Sequence, residues 1–112
     1  MESPLPRLVS GPSQALGFPT SATQEARAYL RQERLDRALH VLLTRVERHA
    51  QCKRACVMLT EYDDESSVKL VKVELHCGLR GKEAVAKEDE LLDDVLDAMD
   101  TETANRFLIV VR

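Results

Sequence analysis

Apolar residues recur at helical spacing along the first half of the chain, from residue 22 to about residue 50. No Gly or Pro interrupts this segment, and on one straight helix the apolar residues fall within a stripe about 100° wide. Four large residues form the centre of the stripe: Leu35, Leu39, Leu42 and Val46. The pattern predicts an amphipathic helix that starts at Ser21, because Gln24 completes a capping-box spacing there.

Arginines occupy the arc that flanks and opposes this stripe. The row includes Arg27, Arg31, Arg34 and Arg45. Acidic residues interrupt the row, and Tyr29 is the one aromatic residue beside it. Such a row can orient a protein partner or contact nucleic-acid phosphates, and the scarcity of stacking aromatics favours the protein.

A second interpretation divides the same segment into two helices. Small and large side chains follow one another at spacings of three, six, three and four residues: Ala26, Tyr29, Leu35, Ala38 and Leu42. This order resembles a single tetratricopeptide repeat, which implies helices at residues 22–32 and 35–48 joined by a turn at Glu33 and Arg34. Because no Gly or Asn marks that turn, the sequence favours one continuous helix.

Sequence typical of strands begins after Lys53. Residues 55–62 are largely apolar, residues 63–67 form a polar turn cluster, and residues 68–77 alternate apolar and polar side chains in their second half. These segments predict an antiparallel hairpin. A further strand is predicted at residues 107–111, either buried on both faces or lying at a sheet edge that a partner completes. Its candidate contact residues are Phe107, Ile109 and Val111.

An acidic amphipathic helix is predicted at residues 88–100, after a loop at residues 78–82. Its expected buried stripe comprises Leu91, Leu92, Val95, Leu96 and Met99. The order of elements predicts an α+β fold: an N-terminal amphipathic helix or helical hairpin, a β-hairpin, an acidic helix and a C-terminal strand, with helices on one face of a small sheet.

The prolines set the expected domain boundary. All four lie in residues 1–20, which are predicted to be a disordered tail, and residues 21–112 are predicted to form a single small domain. An odd number of cysteines, three, predicts reduced thiols and a cytoplasmic or nuclear location. No apolar run has the ~20 residues that a membrane-spanning helix needs, so no membrane partner is expected.

Charge is unevenly distributed along the chain, although the total is only −3. Residues 21–56 carry eight Lys/Arg and four Asp/Glu, a net charge of +4, whereas residues 57–112 carry seven and fourteen, a net charge of −7. The two regions can neutralise each other within the fold, or they can present a basic and an acidic surface to different partners.

Residues with catalytic or metal-binding potential are few. The metal-like set comprises His49, Cys52, Cys56, His76 and Cys77. It lacks the second tight ligand pair of a structural zinc site, and nothing supplies an oxyanion hole or an orienting third residue for a Cys/His pair. The sequence therefore predicts neither an enzyme nor a cofactor or metal site.

These observations favour a protein-interaction adaptor or an accessory subunit of a larger intracellular complex. The expected contact is the apolar helical stripe with its flanking arginines, and the strand at residues 107–111 is a second contact. The alternative is a nucleic-acid-binding accessory factor that uses the arginine face of residues 27–48. The sequence leaves the identity of the partner and the oligomeric state open.

Overall fold

A computed structural model describes residues 18–49, 52–61 and 69–112. Within these ranges the strands are β1 (Thr20–Ala22), β2 (Arg54–Glu61), β3 (Lys69–His76) and β4 (Phe107–Val111). The helices are α1 (Gln24–Gln32), α2 (Asp36–His49), α3 (Gly81–Ala98) and α4 (Thr101–Ala104). The predicted α+β fold is confirmed.

The sheet has the strand order β1-β2-β3-β4. β2 and β3 pair antiparallel, as predicted, whereas β1–β2 and β3–β4 are parallel pairs. Parallel neighbours need a crossover connection, and here α1 with α2 makes one crossover while α3 with α4 makes the other. The fold therefore consists of two β-α-β units joined through the central hairpin.

β1 extends the domain into the predicted tail. Phe18 is buried in the core and Thr20 begins the strand, so the domain starts at least three residues before the expected boundary. Ser21 pairs with Cys56 in the ladder and does not cap a helix. The cap is Thr23, whose hydroxyl oxygen accepts the Ala26 N–H at 3.1 Å. The rest of the predicted tail, residues 1–17, lies outside the described residues.

The long helix predicted over residues 22–50 is interrupted by a turn, so the preference for one continuous helix is wrong. Arg34 adopts a φ of 59°, in the left-handed region. The Leu35 N–H donates to the Leu30 carbonyl at 2.8 Å, and the Arg34 N–H donates to the Arg31 carbonyl at 3.2 Å. This is the Schellman pattern that ends many helices, with arginine at the position where glycine is usual. The turn lies where the two-helix interpretation placed it.

The helices cover one face of the sheet. Val71, Val73 and Leu75 point inward and are fully buried, whereas Lys72 and Glu74 between them are partly exposed. The alternation predicted for this strand is confirmed, and one hydrophobic cluster joins the inward-facing strand residues to the helices. The turn cluster predicted at residues 63–67 lies outside the described residues.

α3 is longer than predicted and is rotated relative to the predicted stripe. It begins at Gly81 and not at residue 88. Leu91 and Val95 are buried as expected, but Leu92 and Leu96 point outward and are exposed. The apolar residues of this helix span a wider arc than the sheet covers, so part of the expected buried stripe remains at the surface.

Candidate functional site

The apolar stripe that was predicted to bind a partner is part of the protein's own core. Leu35 is 6 % exposed, Leu39 is 3 % exposed, and Leu42 and Val46 are fully buried. They belong to the cluster that packs α2 against the sheet. A partner can reach them only if α2 leaves the sheet, and this corrects their assignment as surface contacts. Each buried leucine instead stabilises the fold by roughly 1.5–3 kcal/mol.

The predicted arginine row is divided among different environments. Arg31 and Arg34 are exposed on α1 and in the turn, whereas Arg27 is partly buried. Arg45 forms an ion pair with Asp94 of α3, with 2.8 Å between Nη1 and Oδ1. Because the turn separates α1 from α2, the row does not follow a single helix. Of the four arginines, Arg31 and Arg34 are the exposed ones, and neither forms an ion pair within the described residues.

Tyr29, the aromatic residue of the arginine row, is engaged within the fold. The Arg106 guanidinium lies 5.6 Å from the centre of the Tyr29 ring and donates a hydrogen bond to its hydroxyl. Arg106 also pairs with Glu33 at 3.0 Å, and the hydrogen bonds to Tyr29 and Glu33 raise the pKa of Arg106. This contact fixes α1 to the residue that precedes β4, and it occupies the ring that a nucleic-acid base would need.

Asp94 links α2 to α3. Its two carboxylate oxygens lie 2.8 Å from the Arg45 Nη1 and 2.6 Å from the His49 Nε2. Lys87, about two helical turns earlier on the same flank of α3, donates to the His49 carbonyl at 3.4 Å. This flank of α3 is therefore occupied by α2. The basic and acidic regions of the sequence meet here, as one of the two charge interpretations expected.

The opposite flank of α3 carries a second line of apolar side chains. Val85 is 56 % exposed, Leu92 is 42 % exposed and Leu96 is 38 % exposed. At about 100° per residue, Leu92 and Leu96 lie within about 20° of Val85 around the helix. We call these three residues the α3 flank. The α3 flank could have been identified from the sequence by measuring the arc around the helix that its apolar residues span. That arc is wider than the arc that one packing contact buries.

β4 forms one edge of the sheet. Val71 donates to the Arg106 carbonyl at 2.9 Å and Arg112 donates to the Leu75 carbonyl at 2.8 Å, so even-numbered residues of this segment bond to β3. The backbone groups of Phe107, Ile109 and Val111 consequently face away from the sheet. Of the predicted contact side chains, Phe107 and Val111 are buried and Ile109 is partly buried.

Glu88 of α3 shields one end of this edge. Its Oε2 accepts the outward N–H of Val111 at 2.9 Å. No side chain in the described part of the chain hydrogen-bonds the outward N–H of Phe107 or Ile109. Leu108 projects from the opposite face of the sheet and is 41 % exposed. Sequence reasoning identified the strand but not Glu88, because its role depends on how α3 lies along β4.

The thiols next to the hairpin are poor nucleophiles. Burial, and to a lesser extent the nearby Cys77, which is hydrogen-bonded to it, raise the pKa of Cys52 to about 12. Burial also raises the pKa of Cys77. A thiol with such a pKa is almost entirely protonated at neutral pH. In the described ranges, no three His, Cys, Asp or Glu residues are grouped so that they can hold a metal ion.

A shallow basic cleft of about 550 Å³ lies where α3 begins. Lys53, Arg80 and Arg112 line it, together with the first residues of the helix. Glu74, beside the cleft, pairs with Arg112 at 3.3 Å and with Lys72 at 3.1 Å, and the hydrogen bond from Lys72 is the main cause of its lowered pKa. Lys53, Arg80 and Arg112 are exposed, so solvent and salt screen the positive charge of the cleft.

No helix in the described part of the chain is both long enough and apolar enough to cross a membrane. No protein-family model, curated protein or solved structure matches the chain.

Proposed function

We propose that this protein is an interaction adaptor or an accessory subunit of a larger intracellular complex. One observation carries the proposal: in the described residues, the large apolar side chains that are exposed all lie on α3 and β4. They are Val85, Leu92, Leu96 and Leu108. Val85, Leu92 and Leu96 lie together on one side of α3, and exposed apolar side chains grouped in this way are typical of a contact surface. Leu108 lies apart from them, on the other face of the sheet.

The contact that we propose is strand addition at the edge of β4. A partner strand can pair with the outward backbone groups of Phe107 and Ile109, which supply hydrogen bonds without requiring a particular partner sequence. The other edge strand, β1, is only three residues long and offers much less backbone. Specificity would come from side chains beside the edge, and the α3 flank lies there because Glu88 of the same helix reaches Val111.

The exposed arginines have a secondary role in this proposal. Arg31 and Arg34 accelerate association with an acidic partner more than they strengthen the final complex, because exposed charges act mainly on the encounter rate. The stripe of α2 that was expected to supply the binding energy supports the fold instead.

The test is an affinity purification of the tagged protein from a lysate of its native cells, with two substitutions at one position. Ile109→Pro removes an N–H that points away from the sheet, and it leaves the hydrogen bonds to β3 intact. Proline is tolerated at such positions of edge strands. Ile109→Ala keeps that N–H and loses side-chain packing. We expect a defined set of proteins to be lost with Ile109→Pro and retained with Ile109→Ala, while circular dichroism shows both variants folded.

A result in which neither substitution changes the captured set, or in which wild type captures nothing reproducible, contradicts the proposal. If both substitutions abolish capture equally, side-chain packing and not edge pairing holds the partner, and strand addition is wrong.

The alternative function is nucleic-acid binding through the arginine face, and the exposure of Arg31 and Arg34 favours it. It predicts that binding to an oligonucleotide falls steeply with salt and weakens in an Arg31→Ala, Arg34→Ala double variant. The pairing of Arg45 with Asp94 and the covered ring of Tyr29 leave this face with less charge and less stacking surface than the sequence suggested. A flat salt dependence would dismiss the alternative.

A further inference from the structure

We propose that the α3 flank is a docking surface for an amphipathic helix of a partner protein that carries Lys or Arg beside its apolar stripe. The inference rests on the proposed function, since it assigns a second and more specific contact to the same interaction module. Three features support it: the exposure of Val85, Leu92 and Leu96, the packing around α3, and the negative charge of the helix.

The apolar side chains on this side of α3 remain 38–56 % exposed in the described structure. The core-facing side bears Ala84, Leu91 and Val95, which lie about a quarter turn from the flank. Asp94, on the side opposite Val85, is bonded to α2. α2 therefore covers one side of α3 and the sheet covers another, while the flank faces outward at the end of the helix layer.

The spacing of the flank suits a helix as its occupant. Val85, Leu92 and Leu96 follow one another after seven and four residues, and at about 1.5 Å per residue they extend over about 16 Å. A row of this kind forms a ridge that packs into the groove between the side chains of a second helix. A flat sheet or a single extended strand would contact such a ridge at fewer points.

The charge beside the flank specifies the chemistry of the partner. α3 carries seven acidic and two basic residues, a net charge of −5. Asp89, Asp93 and Asp97 lie along one side of the flank, and none of them pairs with a cation in the ranges that the structure describes. A second copy would place one acidic helix against another, which is unfavourable, whereas Lys or Arg on a partner helix would meet unpaired carboxylates.

The experiment measures binding of fluorescent 18-residue peptides to the full chain by anisotropy. One peptide has a leucine stripe flanked by lysines, the second has glutamates in place of the lysines, and the third is a scrambled form of the first. The protein variants are Leu92→Gln on the flank and Leu108→Gln as its matched control. Leu108 is exposed to almost the same extent, 41 % against 42 %, but lies on the other face of the sheet.

We expect the lysine peptide to bind wild type and the Leu108→Gln variant alike, and to bind the Leu92→Gln variant roughly tenfold more weakly, a loss equivalent to about 1.4 kcal/mol. The glutamate and scrambled peptides should bind far more weakly than the lysine peptide. An Asp89→Lys, Asp93→Lys double variant should reverse the preference toward the glutamate peptide, whereas Glu25→Lys on α1 should not.

Three outcomes would overturn the inference. In the first, the scrambled peptide binds as well as the amphipathic one, which shows charge attraction without docking. In the second, no peptide binds, and the α3 flank is not a docking surface for a helix. The proposed function would still be supported if the capture of partners from the lysate depends on Ile109, so the two failures are distinguishable. In the third, sedimentation shows self-association that Leu92→Gln abolishes, and the occupant is a second copy.

Discussion

α2 and α3 are both amphipathic helices, but they use their apolar residues differently. The stripe of α2 is matched to the surface beneath it, and Leu39, Leu42 and Val46 are all buried. α3 has two apolar lines, one buried through Leu91 and Val95 and one exposed. The comparison shows that a single apolar stripe predicts that one side of a helix is buried. When the apolar residues span a wider arc than one packing contact covers, they indicate a second contact surface.

The largest expected effect is a difference in stability between leucine-to-alanine variants of the two helices. Leu42→Ala should lower the free energy of unfolding by about 2–5 kcal/mol, because it leaves a cavity in the core. Leu92→Ala, which removes the same atoms from the exposed line of α3, should change it by less than about 0.5 kcal/mol. Urea denaturation of both variants measures the difference. Similar losses would mean that the α3 flank is covered in solution.

A smaller effect is expected where the two helices meet. Asp94→Ala removes the partner of Arg45 and His49 and should lower stability by about 1 kcal/mol, since these groups are partly exposed. Asp93→Ala, at the neighbouring exposed position, is the control and should be nearly neutral. Denaturation at low and high salt compares them. Equal effects of the two substitutions would show that Asp94 does not hold α2 and α3 together.

The turn that sets the start of α2 offers a stabilising change. Arg34→Gly removes the steric cost of a positive φ at a residue with a Cβ atom, and this gain exceeds the cost of the greater entropy of glycine in the unfolded chain. The substitution should therefore raise the free energy of unfolding by about 0.5–1 kcal/mol. Arg31→Gly, inside α1, should lower it by a similar amount. Thermal unfolding distinguishes the two signs. Destabilisation by Arg34→Gly would mean that α1 and α2 are not separated by this turn.

The smallest effect is expected on the face of the sheet that neither helix covers. The hydrogen bond from Lys72 lowers the pKa of Glu74 in the folded protein. The ionised Glu74 carboxylate therefore stabilises the fold above about pH 4, and this stabilisation is lost as the pH falls through the lowered pKa. Glu74→Gln should flatten the pH dependence of stability below about pH 4, as measured by denaturation at a series of pH values. Parallel curves for wild type and Glu74→Gln would contradict the expectation.

The elements that were predicted correctly can be recognised from the order of residues within each element. Val71, Val73 and Leu75 alternate with polar residues, which identifies β3 before its partner is known. β4 is likewise a short apolar run, and α3 has a clear helical period. The α+β class and the central hairpin follow from these signals.

The features that were missed depend on tertiary contacts. β1 has the sequence Thr-Ser-Ala, which carries no strand pattern and becomes a strand because β2 supplies its partner. The turn at Arg34 was considered but not preferred, because arginine occupies a position where glycine is the usual signal. The burial of the α2 stripe was missed as well, because an amphipathic pattern is the same whether the covering surface belongs to the chain or to a partner.

The topology also has a consequence for how the molecule assembles and opens. The central hairpin joins strands that are close in sequence, whereas both parallel pairings must close long crossovers before they gain any hydrogen bonds. Loop-closure entropy therefore favours early formation of β2–β3 and late attachment of β1 and β4. By the same reasoning β4, like β1, is expected to detach before the central hairpin opens in native-state fluctuations, so the edge proposed for a partner belongs to a readily exchanged part of the sheet.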